Sequence, residues 1–148
     1  MPISIIFQER FSELVRELDC PRKDLSAKLN VNPEIISKAL NYGILPRPRA
    51  LIKIADSLNI SLEYLLGISD NEVFFKAENR KTFFERLEIL RESKNLTYYQ
   101  LGKELHIAPS YFANWHKQNY IPTLEFLTLL SDYFEVSLDY LLGRTDEK

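Results

Sequence analysis

Apolar positions along the first half of the chain recur at helical spacing and never alternate for long in the manner of a strand. Phe7, Phe11, Leu14, Val15 and Leu18 form one stripe. Pro21 opens a new segment, in which Leu25 and Leu29 stand four apart and Asn30-Val31 follow. Asn32-Pro33-Glu34 predicts a helix start, with a capping side chain, a proline at the first helical position and an acid in the first turn. Ile35, Ile36, Ala39 and Leu40 give that third helix its apolar face, and "NYGILPRPR" after it reads as a loop. Leu51, Ile54, Ala55 and Leu58 mark a fourth helix. Ser61 caps a short fifth one over 62–66, which Gly67 ends.

The second half repeats this pattern. "SLEYLLGISD" at 61–70 returns as "SLDYLLGRTD" at 137–146, a shift of 76 positions. The same shift pairs Phe7 with Phe83, Leu14 with Leu90, Leu25 with Leu101, Leu29 with Leu105 and Pro33 with Pro109. It also pairs Pro46 with Pro122, Leu51 with Leu127 and Asp56 with Asp132, without a gap. Chance would not hold prolines, leucines and a closing glycine in one register. The chain is a duplicated all-α domain, expected as residues 1–70, a linker over 71–82, and residues 83–148.

Composition adds limits. At 148 residues and 45% hydrophobic, the chain can build cores, but two domains of roughly 60 residues lie near the lower limit for folding alone. Cys20 is the only cysteine, which excludes an internal disulfide and suits a reducing cytoplasm. No apolar run approaches the roughly 18 residues of a membrane span, and the first residues turn charged too early for a secretory leader. His106 and His116 lack the companions of a metal site. Glycine-rich phosphate loops, nucleophile elbows and paired carboxylates are missing as well. No enzyme, cofactor, metal or small-molecule ligand is expected.

The second and third helices of each copy, windows 22–41 and 98–117, resemble the Cro/lambda-repressor (Xre-like) helix-turn-helix family. Leu25, Leu29 and Ile36 supply the apolar lock between the crossing helices, and Leu101, Leu105 and Phe112 do so in the second copy. Close approach calls for a small residue after the first leucine, and Ser26 and Gly102 stand there. The turn position, usually glycine, is Asn30 and His106, which tolerate positive φ among non-glycines. Val31 and Ile107 fill the apolar position after it. The resemblance covers nearly all of both halves and implies two tandem five-helix domains of this type.

It further implies that each third helix lies in the major groove of DNA, with its first residues facing the bases. In copy one that exposes Asn32, Glu34, Ser37, Lys38 and Asn41, with Lys38 able to donate to guanine. Glu34 could accept from cytosine or could simply repel phosphate. Arg22 and Lys23 at the start of helix two, and Arg47 and Arg49 after helix three, fall where members of the family grip the backbone. Net charge is −2 overall, yet residues 22–53 hold seven basic side chains against two acids. Copy two offers Thr97, Tyr98, Ser110, Tyr111, Asn114 and Lys117 at the matching places, with little charge and many aromatics. Trp115 is expected in the core, and the excess tyrosines equally fit a protein interface.

The expected function is therefore sequence-specific binding of double-stranded DNA by a cytoplasmic transcriptional regulator, a repressor, with copy one as the better reader. A pseudo-dimeric monomer and a homodimer of tandems both remain open, the homodimer being expected. Val73, Phe74 and Phe75 would be costly to leave in water and are expected at a domain or subunit interface. The competing reading is a protein-interaction module, antitoxin-like or antirepressor-like, that keeps the fold with weak or no DNA binding.

Overall fold

Why the two copies fold alike, and where they part, is set by their helix caps. The computed structural model describes residues 2–118 and 120–148. Residues up to Phe74 form one compact unit and Phe75–Lys148 a second. The first unit contains α1 (Ile5–Glu17), a 3-10 turn (Arg22–Asp24), α2 (Leu25–Leu29), α3 (Pro33–Tyr42), α4 (Pro48–Leu58) and α5 (Leu62–Leu65). The second contains α6 (Phe83–Ser93), α7 (Tyr98–Leu105), α8 (Pro109–Gln118), α9 (Leu124–Phe134) and α10 (Leu138–Leu141). Among the described residues there is no strand beyond isolated bridges, and no helix is long and apolar enough to cross a membrane. The fold is all-α, five helices per unit, as the periodicity predicts.

The second helix differs between the units for a visible reason. Thr97 caps α7 through a reciprocal box, its hydroxyl accepting from Gln100 N–H while the Gln100 side chain accepts from Thr97 N–H. The matching position in the first unit is Pro21, which has no capping side chain. The first turn there winds as a 3-10 segment, and α2 proper is only five residues long against eight for α7.

Each core follows the apolar stripes. In the first unit Phe7, Phe11, Leu25, Leu29, Ile36, Ala39, Leu51 and Ile54 are buried, with the Phe7 and Phe11 rings stacked at 5.4 Å. Val15, Leu18, Ile35, Leu40 and Leu58 lie at the edges of their stripes and are only half-buried. The second core is more aromatic: Phe83, Phe112 and Trp115 meet edge to face, at 5.8 Å for Phe83–Trp115 and 5.3 Å for Phe112–Trp115. Trp115 is buried as expected, whereas Leu105 is half-buried.

Backbone geometry repeats with the sequence. Asn30 and His106 adopt left-handed conformations at φ 59° and 58°, as the turn requires. So do Asp19 and Asn95, and Asn59 and Glu135, each pair 76 residues apart. The segment after each closing helix folds back: Ser61 N–H donates to Glu72 O at 2.9 Å and Ser137 N–H to Lys148 O at 3.2 Å. Residues 75–77 belong to the second unit, where Ala77 is buried and its N–H donates to Arg144 O at 2.9 Å. Val73 and Phe75 are exposed and Phe74 is half-buried.

Candidate nucleic-acid interface

The crossing of α2 and α3 is held by contacts that leave one face of α3 open. Ser26 Oγ donates to Val31 O at 2.7 Å, which ties the turn to the helix before it. In the second unit a β-carbon at Gly102 would lie 2.4 Å from Ile107 O, so that crossing is closer and only glycine fits it. Asn32 caps α3, its side-chain oxygen accepting from Glu34 N–H at 2.8 Å, and Pro33 occupies the first turn. The N-terminus of α3 is thereby presented with its backbone donors partly satisfied and its side chains outward.

A cleft of about 700 Å³ runs beside α3 in the first unit. Asn32, Glu34, Lys38, Arg47 and Arg49 line it, so five of the nine residues selected from copy one come together there. Val31, Ile35, Ile44, Leu45 and Pro46 contribute apolar lining to it. Asn30 and Lys53 also line it and were not among the selected residues. Lys53 stands one helical turn after Arg49 on α4, so the signal for it was an i, i+4 spacing. Four cations and a single carboxylate, Glu34, face this cleft. The result is a positive concavity next to an exposed helix N-terminus, suited to an anionic polymer.

The remaining selected residues of copy one lie elsewhere. Arg22 and Asn41 share a second cleft of about 620 Å³ with Arg16 and Cys20. Lys23 is exposed and Ser37 half-buried, and neither lines either cleft. Glu34 and Lys38 form an ion pair, Lys38 Nζ to Glu34 Oε1 at 3.1 Å.

In the second unit the equivalent surface is chemically different. Tyr98 turns back onto α6: its hydroxyl donates to Glu88, and the Arg91 guanidinium lies 4.4 Å from its ring centre. Burial first, and then the bond to Glu88, push its phenol pKa well above the ordinary value near 10. The Thr97 hydroxyl is occupied by its cap. Tyr111 packs against Phe126 with ring centres 5.3 Å apart, yet stays exposed. Ser110, Asn114 and Lys117 are exposed along α8.

Residues 12–65 and 87–141 each match the helix-turn-helix family, which together is most of the chain. The chain is 35% identical over 65 residues to the HTH-type transcriptional regulator YobD of Bacillus subtilis (strain 168), covering 44% of this chain and 58% of that protein. It is 37% identical over 61 residues to the HTH-type transcriptional activator BcrR of Enterococcus faecalis, covering 41% of this chain and 30% of that one. With the HTH-type transcriptional regulator AnsR of B. subtilis it shares 38% over 64 residues, 43% of this chain and 55% of that protein. The chain thus spans between about a third and three fifths of the length of these relatives. No solved structure gives a significant match.

Proposed function

The chain belongs to the helix-turn-helix family of Cro/lambda-repressor (Xre-like) type, and on that premise we propose that it is a sequence-specific DNA-binding transcriptional regulator. One observation carries the reading: Lys38, Arg47, Arg49 and Lys53 converge on a cleft beside the exposed N-terminal half of α3. In this arrangement α3 enters the major groove while Arg47, Arg49 and Lys53 neutralise the flanking phosphates. Arg22, at the start of helix two, extends the backbone grip, with Lys23 beside it. Transcriptional relatives support the regulatory role. We assign repression, because a helix-turn-helix seated in the groove can exclude other proteins from the site that it occupies; BcrR, named an activator, marks the other outcome.

The protein acts in the cytoplasm as a homodimer of tandems, each chain offering one strongly cationic reading head. Titration of a duplex pool at increasing salt tests the reading. Submicromolar binding with a steep salt slope is expected. Micromolar or weaker binding to every sequence, with a flat slope, would overturn it in favour of the interaction module. One observation favours that second reading for the second unit alone: Tyr99, Tyr111 and Tyr120 are 66%, 46% and 45% exposed, in a stretch where Lys103 and Lys117 are balanced by Glu104 and Glu125.

A further inference from the structure

We propose that Glu34 and Lys38 work as one reading unit for a single G·C base pair, a role that rests on the groove reading above. Both project from the first turns of α3, the end that approaches base edges. Their i, i+4 spacing holds the two charged heads on one face, with the ammonium 3.1 Å from the carboxylate. Glu34 and Lys38 remain 71% and 42% exposed, so the pair is available to a partner.

The chemistry of the pair matches one base-pair edge. Lysine only donates and a carboxylate only accepts. Across the major groove a G·C pair shows two adjacent acceptors, guanine N7 and O6, and then the cytosine N4 donor. Lys38 lies over the acceptors and Glu34 takes the cytosine amine beside them. An A·T pair alternates acceptor, donor and acceptor and ends in a methyl group, so the ammonium finds a single acceptor beside an amine there and loses the two-point contact that adjacent guanine N7 and O6 provide. Pairing also removes the objection to an acid in this place. Alone, Glu34 would be the one carboxylate in a cleft built for phosphate; beside Lys38 its charge is compensated, and its acceptor character is kept. The matching positions of the second unit, Ser110 and Asn114, carry no charge, so this reading unit belongs to the first unit only.

Selection from a random duplex pool by the full chain tests the proposal, with Glu34→Ala, Lys38→Ala and the double change Glu34→Ser with Lys38→Asn run in parallel. The native chain should select an invariant G·C pair at one position. Glu34→Ala should lower the preference for cytosine there roughly ten-fold and leave the other positions intact. Lys38→Ala should relax the same position, and the double change should move it away from G·C. If Glu34→Ala binds all sequences more tightly with an unchanged preference, Glu34 merely repels phosphate and the proposal fails while DNA reading stands. Failure of the native chain to select any sequence overturns the groove reading, and the pair's role with it.

Discussion

Arg86 Nη2 lies 2.7 Å from Asp146 Oδ1, joining α6 to the segment after α10 across sixty positions of sequence. The same guanidinium donates to Thr145 O at 2.9 Å and sits 4.1 Å over the Tyr140 ring. The first unit repeats the device: Arg10 reaches Asp70 at 2.8 Å and Ser69 O at 2.7 Å, and stacks on Tyr64 at 4.2 Å. One arginine on the opening helix thus closes each unit. Arg86 is nearly buried while Asp146 is 64% exposed, so the two ends of this bond differ in worth. Arg86→Ala should destabilise the second unit by about 3 kcal/mol, since it strands a buried carbonyl and removes the ring contact. Asp146→Ala should cost no more than about 1 kcal/mol. Trp115, the only tryptophan, is buried in that unit, so denaturant unfolding followed by its fluorescence checks both values.

The close crossing at Gly102 yields a second expectation. Gly102→Ala forces a methyl group against Ile107 O and should cost about 2 kcal/mol by Trp115 fluorescence. In the first unit Ser26→Ala keeps the β-carbon that its crossing already accommodates and loses only the bond to Val31 O. That should cost about 1 kcal/mol in thermal unfolding followed by helicity. Equal losses would mean that the two crossings do not differ as described.

Tyr98 links stability to pH. Its phenol pKa is raised in the folded unit, chiefly by burial and then by the bond to Glu88. The protonated form is neutral, so its contribution is complete below about pH 10 and is lost as pH rises towards the folded value. Tyr98→Phe should therefore flatten the alkaline decline in stability of the second unit. At neutral pH it should cost about 1 kcal/mol, through the lost bond to Glu88. An unchanged alkaline decline in the variant would show that another group controls it.

Salt dependence should separate the two units in their proposed binding to DNA. Arg47→Ala should weaken binding across all sequences and lower the log–log salt slope by about 1. Lys117→Ala, on α8 in the second unit, should leave the slope nearly unchanged. Equal effects of the two changes would mean that both units grip the backbone alike.

Much of this protein can be read from local spacing. The 76-residue register, the five helices per copy, the left-handed turns at Asn30 and His106 and the small residues at Ser26 and Gly102 all follow from periodicity and backbone sterics within a few residues. The burial of Trp115 follows from the same apolar face. Even the unequal second helices have a local cause, Pro21 standing where Thr97 caps its partner.

Only the tertiary structure decided which polar side chains meet. Arg10 and Arg86 carry no sign in their spacing of the carboxylates sixty positions away, because nothing in a helix period encodes a distant partner. Tyr98 stands in sequence where a phosphate contact is expected, yet its hydroxyl is drawn onto Glu88 of the preceding helix. Packing likewise assembled Lys38, Arg47 and Arg49 with Lys53 in one cleft and sent Arg22 and Asn41 to another. Periodicity places a residue on a face; the path of the whole chain determines what that face looks at.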